Sequence, residues 1–251
     1  EKKIGACAAL RAGTLKKYRG ESRMTNAEFT TAYLDAMGWK DSVVADENLS
    51  VEYPACVYTF SDRRVTALVP EAMCLREEIP EGAALTEVLG VLVDLEAVRV
   101  QREKVIGLFA QFPQIGETLP PVRDGDALER MLGAMEEPDR MRGEVTLQDD
   151  VTCCISGEDG ELLAAAGAVC SGKIADISVA VHPAVRAKGL GTRVAAALIR
   201  KVQEQGYIAL YRVEKVNLPS VRLARRLGLR PGFVMEGARI LFPEECAPAT
   251  F

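Results

Sequence analysis

The chain has 251 residues, of which 48% are apolar, 27% charged and 6% aromatic, an ordinary globular mix that excludes a disordered, collagenous or disulfide-scaffold protein. Its 31 Lys and Arg against 36 Asp and Glu give a net charge of -5. No nucleic-acid partner is therefore expected over the surface as a whole, although a local basic patch would still fit, and an acidic surface favours cationic partners such as amines. The only histidine is His182, so any Ser-His-Asp triad, Cys-His dyad or zinc-water site would have to use that one residue. Seven cysteines, Cys7, Cys56, Cys74, Cys153, Cys154, Cys170 and Cys246, are scattered without a C-x-x-C pair, which gives no metal or dithiol signature. Free thiols of this kind suit a reducing cytosol, where Cys fills core space as a small apolar residue. No apolar run reaches the roughly 18 residues of a membrane span. No signal peptide is visible, in a chain that starts without an initiator Met. The expectation is a cytoplasmic protein with no membrane partner and no metal.

In chain order, a charged stretch at residues 16–23 precedes Thr25-Asn26-Ala27-Glu28, a capping box in which the Thr hydroxyl accepts from the third amide and Glu28 reaches back. Phe29, Tyr33 and Met37 follow at helical spacing and Gly38 supplies the stop. Residues 51–60 and 64–69 are β-rich and flank Ser61-Asp62-Arg63, which predicts a hairpin. Residues 84–111 are helical in composition, with Leu85, Val88, Leu89 and Leu92 on one stripe and Val105, Leu108 and Phe109 on another. Pro113, Gly116, Pro120 and Pro121 then mark a linker or boundary. This divides the chain into an N-terminal α/β lobe, 1–118, and a second domain, 119–251.

The second half predicts a helix over 124–135, a strand start at Val145 and Leu147, and a hairpin of 151–156 and 161–170 around Gly157-Glu158-Asp159-Gly160. A strand follows over 174–181, with Ile177, Val179 and Val181 at period two. A helix is expected over 190–205, a strand over 207–213 and a helix over 220–227. A final strand pair, 233–235 and 239–242, would turn at Glu236-Gly237. The fold class is α/β (α+β): a mixed, mostly antiparallel sheet flanked by helices.

One segment carries chemistry. The strand through Val179, Ala180 and Val181 runs by His182-Pro183 into Arg186-Ala187-Lys188-Gly189-Leu190-Gly191-Thr192 and then a helix. Glycines let the backbone curl close to a ligand, and successive amides at a helix N-terminus gather at one point and bind anions, phosphate above all. Arg186 and Lys188 add positive charge. The spacing is neither a P-loop nor the dinucleotide fingerprint, whose third glycine position holds Val194.

Arg186-x-x-Gly189-x-Gly191 resembles the Arg/Gln-x-x-Gly-x-Gly/Ala motif of the GNAT N-acetyltransferases, as does the strand ending in Val-His-Pro. Asn217-Leu218-Pro219-Ser220, followed by Ala224, Leu227, Gly228 and Leu229, is similar to the second signature of that family. Pro121-Val122-Arg123 leading into Asp126-Ala127-Leu128 looks like its first strand and helix. The resemblance covers residues 119–242. It implies acetyl-CoA as cosubstrate, with its pyrophosphate on the amides of residues 186–192. The pantetheine arm would lie along Val179, Ala180 and Val181, in a wedge between that strand and 207–213, with Asn217 and Ser220 near the arm. It also implies transfer of an acetyl group to a primary amine of a small molecule or peptide, and leaves His182 to shape the loop.

An ammonium with a pKa near 10.4 must lose a proton before its nitrogen attacks, and the departing thiolate must be stabilised or protonated. Asp176 is the candidate base, at the position where relatives carry Glu. The Tyr that usually serves as acid is Ala224 here, which leaves Tyr211 as the substitute, with water or the Val179 amide assisting. The alternative function is a catalytically weak or inactive CoA-binding protein whose N-terminal half, a decayed acetyltransferase-like domain in one version, does the recognising. A longer acyl-CoA as donor and a homodimer both remain compatible with the sequence.

Overall fold

The computed structural model describes residues 23–71, 78–93, 98–112, 114 and 116–241. The charged stretch before Arg23, Cys7, Cys74, Pro113, Phe242 and Cys246 lie outside the described residues.

The capping box forms as read: the amide and hydroxyl of Thr25 both donate to Glu28 Oε2, at 2.7 and 2.8 Å, and the Glu28 amide donates back to Thr25 Oγ1. It starts α1 (Asn26–Met37), which Gly38 closes in the left-handed conformation at φ 69°. Then come β1 (Val43–Asp46), which the sequence reading did not contain, and the predicted hairpin, β2 (Ala55–Phe60) and β3 (Val65–Pro70). The helical reading of 84–111 holds only for α2 (Leu85–Leu92). Arg99–Phe109 is instead an 11-residue strand, β4. Val105, Leu108 and Phe109 fit helical spacing, but Ile106 and Leu108 also alternate with Val105, Gly107 and Phe109, and pairing on both sides decides the matter.

The second half supplies α3 (Gly125–Gly133), α4 (Glu137–Arg142), β5 (Val151–Ser156), β6 (Leu162–Ser171), β7 (Ile174–Val181), α5 (Leu190–Glu204), β8 (Ile208–Glu214), α6 (Leu218–Arg226) and β9 (Arg230–Leu241). Three expectations fail. Pro121–Arg123 is no strand but an extended segment on the edge of β5, tied by Cys154 N to Pro120 O and by Val122 N to Thr152 Oγ1. Val145 and Leu147 start no strand; Val145 is a buried core residue of an irregular segment. Glu236-Gly237 is no turn, because β9 runs through it while pairing with β2 on one side and β4 on the other.

The nine strands of the described residues make one sheet in the order β1-β3-β2-β9-β4-β8-β7-β6-β5, antiparallel except for β1/β3 and β7/β8. β4, from the first half of the chain, lies between β8 and β9 of the second. The connecting segment crosses α5, held by Arg193 on Glu117 at 2.7 Å and by Arg200 on Gly116 O at 2.6 Å. On one face of the sheet α5 buries Val194, Leu198, Ile199 and Val202 against β5, β6 and β7. On the other, Phe29 and Tyr33 of α1 join Phe60, Phe109, Leu210 and Phe233, with the Phe29 and Phe109 rings stacked at 4.3 Å. Two glycines permit this contact. A Cβ on Gly107 would lie 2.3 Å from the Phe233 ring, and one on Gly232 would lie 2.2 Å from Phe29.

Candidate active site

β7 and β8 pair only from Ile174 opposite Ile208 to Asp176 opposite Leu210. Beyond that the two strands separate, and β7 presents a free edge on the side away from β6. Val179 and Val181 turn their carbonyls to that edge: Val181 O accepts from Arg186 Nε at 3.4 Å, and Val179 O faces Gly143, where a Cβ would approach to 3.1 Å. Successive side chains of a strand point to opposite faces, so the splay has two sides of different composition.

On the α5 face a cavity of about 590 Å³ is lined by Val179 and Val181, by Arg186, Ala187 and Gly189–Thr192 of the loop, by Tyr211, and by Asn217 and Ser220 at the start of α6. The loop geometry follows from its sequence. His182 caps a short 3-10 turn, its Nδ1 accepting from the Ala184 amide at 3.3 Å, and its own amide donates to Leu163 O. Ala187 and Gly189 take the left-handed conformation at φ 63° and 83°. Gly189 O then accepts from the amides of Thr192 and Arg193. The first amides of α5, at Leu190 and Gly191, have no carbonyl one turn back, and both residues line the cavity. Asn217 caps α6, accepting from the Ser220 amide at 3.3 Å. Burial pushes the Tyr211 phenol above its ordinary range, against a hydrogen bond with Ser220 that lowers it.

Two of the expected binding residues stand apart: Ala180 is buried against the α3 core with its side chain on the opposite face, and Lys188 points to solvent outside the cavity. The Arg186 guanidinium is engaged by Asp139 of α4 at 2.8 Å. Arg142 is likewise paired with Glu214 at 2.8 Å. Arg222 and Arg226, one turn apart on α6, also line the cavity and were not singled out in the sequence. Their i, i+4 spacing on the helix after the Asn cap was the signal available.

The other face carries a second cavity, of about 490 Å³, in which Asp176 and Arg212 form an ion pair beside Ser178, Glu144, Asp149 and Tyr33. The structure therefore does not bring Asp176 and Tyr211 together; they flank the splay from opposite faces. Burial raises the Asp176 pKa, and Arg212 opposes the shift. Burial also raises Tyr33, which hydrogen-bonds Tyr58. Arg212, the one basic residue of Ile208–Glu214, was not singled out in the sequence; only the pairing of β7 with β8 puts it on the same face as Asp176. The described thiols are unsuited to nucleophilic work: burial pushes Cys153 up to about 12 and Cys56 up to about 11, so neither supplies thiolate at neutral pH.

Residues 124–229 match the acetyltransferase (GNAT) family model, within the part of the chain whose motifs resemble that family. No curated protein matches the chain. Among solved structures, a GNAT-family acetyltransferase from Novosphingobium aromaticivorans aligns at 19% identity and a TM-score of 0.47, over 57% of this chain and 67% of its own. One from Colwellia psychrerythraea aligns at 14% and 0.45, over 72% and 79%. The ribosomal-protein-alanine N-acetyltransferase of Brucella melitensis aligns at 16% and 0.37, over 50% of this chain and 100% of its own. Among the described residues no helix is long and apolar enough to cross a membrane.

Proposed function

We propose that the chain is an N-acetyltransferase that moves an acetyl group from acetyl-CoA to a primary amine. The observation that carries this reading is the splay of β7 from β8, flanked by cavities of opposite charge. On the α5 side Arg142, Arg186, Arg222 and Arg226 line the cavity with Asp139, and Glu214 pairs with Arg142 from outside the lining; on the α1 side Glu144, Asp149 and Asp176 line the cavity with Arg212. The first suits a polyanionic cosubstrate and the second an ammonium. The residues present fit CoA. The α5 amides and Arg226 would hold its phosphates, and the free edge of β7 at Val179 and Val181 would bond its amide-bearing arm. When bound, acetyl-CoA supplies an activated acyl thioester.

The remaining chemistry belongs to the chain. Asp176 accepts a proton from the acceptor ammonium, directly or through water, and Arg212 keeps its carboxylate ionised for that purpose. The Val179 amide polarises the thioester carbonyl. The amine nitrogen bonds to the carbonyl carbon, the carbon–sulfur bond breaks, Tyr211 gives the departing thiolate its proton, and the proton that the nitrogen sheds on becoming an amide returns through water to the Tyr211 phenolate. Thiol release from acetyl-CoA in the presence of a panel of primary amines tests the reading. A second reading, CoA binding without catalysis, draws on Ala224, which is 2% exposed in the α5 core and cannot replace the usual Tyr. Tight acetyl-CoA binding with no thiol release for any amine would favour it.

A further inference from the structure

We infer that the acceptor is a primary amine carrying at least one further positive charge, which sits on Asp149 and Glu144 in the cavity of the α1 face. This rests on the transferase reading above and names the substrate class of that site. The place of the cavity follows from the splay of β7 and β8, independently of its carboxylates. Its charge balance selects the ligand. Asp176 and Arg212 neutralise one another, which leaves Glu144 and Asp149 as the uncompensated charges of the lining. An acceptor with a carboxylate would meet that excess negative charge, and a monoamine would leave it unused.

Asp149 is held in place before any ligand arrives. Its carboxylate accepts from the amide and hydroxyl of Thr146, at 3.2 and 2.8 Å. It lies flat on β6 at Gly167, where a Cβ would stand 1.7 Å from Oδ2; any other residue there would displace it. Gly167 is in register with Ser178 of β7, and Asp176 is two residues back on the same face. Two residues of strand span about 7 Å and neighbouring strands lie about 4.8 Å apart, a diagonal of roughly 8 Å, so the base and the second carboxylate are separated by the reach of a short diamine. Met37 and Val169, both exposed apolar side chains, line the cavity and offer a surface for the methylene spacer.

Cadaverine and pentylamine have the same carbon chain and differ by one ammonium group, so they isolate the second charge. The kcat/KM for thiol release should be at least about tenfold higher with cadaverine, the scale of one charge-assisted contact in a partly buried site. The ratio should shrink as salt is added. Glu144→Gln, at an exposed position, should lower the ratio, and Glu144→Gln with Asp149→Asn should bring it near one. Calorimetric titration of both amines onto the CoA-loaded protein gives the same comparison without turnover. Equal constants for the two amines, in either assay, would overturn the inference, as would a ratio that the double variant leaves intact. Failure of acetyl-CoA to bind would instead refute the transferase reading, and cadaverine titrated onto the unloaded protein would still test the cavity.

Discussion

Replacing Gly191 with Asp tests the anion site at the start of α5. If acetyl-CoA binds there, at a concentration about 100 times its Kd it stabilises the fold by about 2.7 kcal/mol. For a chain of this size that raises Tm by about 5–11 °C. A Cβ on Gly191 would lie 3.2 Å from Val181 Cγ2 and 3.3 Å from Leu223 Cδ1, contacts that a shift of a few tenths of an ångström relieves. A carboxylate in the first turn gains about 0.3–1 kcal/mol from the helix amides, so the unliganded variant should melt near the wild type. A bound phosphate about 4 Å from the new carboxylate would be repelled by about 4 kcal/mol per unit charge at an effective dielectric near 20, a loss of roughly a thousandfold in affinity. The same acetyl-CoA concentration then falls well below the Kd of the variant and the Tm shift vanishes. Gly191→Ala, which adds the Cβ without the charge, should keep part of it. Scanning fluorimetry with and without acetyl-CoA reads all three proteins, and a full shift in Gly191→Asp would refute the placement of the phosphates.

Asp176→Asn should lower kcat by about 10²–10⁴-fold with the KM for acetyl-CoA little changed, since the carboxylate lies on the face away from the CoA cavity. Burial raises the folded pKa of Asp176, so its contribution to stability is complete below the ordinary value of about 3.9 and is lost as pH rises through the folded value. The wild-type rate should fall as pH drops through that raised pKa, and the variant should lack this acidic limb; a full rate at every pH would remove Asp176 from the mechanism. Tyr211→Phe should act on the alkaline limb instead. Gly107→Ala would drive a methyl into the Phe233 ring and should cost about 1–3 kcal/mol, read as a lower Tm in thermal melts. Residues 119–251 expressed alone lack β4 and would expose the facing edges of β8 and β9. Circular dichroism should show them failing to fold, and a folded fragment that binds CoA would refute this.

Much of the second half was legible because local signals there agree with the tertiary outcome. The Gly189-x-Gly191 turn, the period-two run of 174–181 and the amphipathic 190–204 each name their element from residues close in sequence. The capping box at Thr25 and the 55–70 hairpin were equally local. The 99–109 segment was not, because its apolar residues fit either period and only β8 and β9, more than 100 residues further on, make it a strand. Glu236-Gly237 reads as a turn until two neighbours pair across it. The acceptor side depended most on the fold. Asp176 stood out in the sequence, but Arg212, Asp149, Glu144 and Tyr33 gain meaning only where the sheet faces, the splay and the packing of α1 gather them. The sequence by itself determined the glycine turn between β7 and α5 and the family it resembles, since both are written in consecutive residues. Only the tertiary structure decided that the first half of the chain inserts a strand beside β8, that Asp176 and Tyr211 lie on opposite faces of the sheet, and that the cavity of the α1 face is lined mainly by carboxylates, because strand order and side-chain facing are set by long-range pairing and burial.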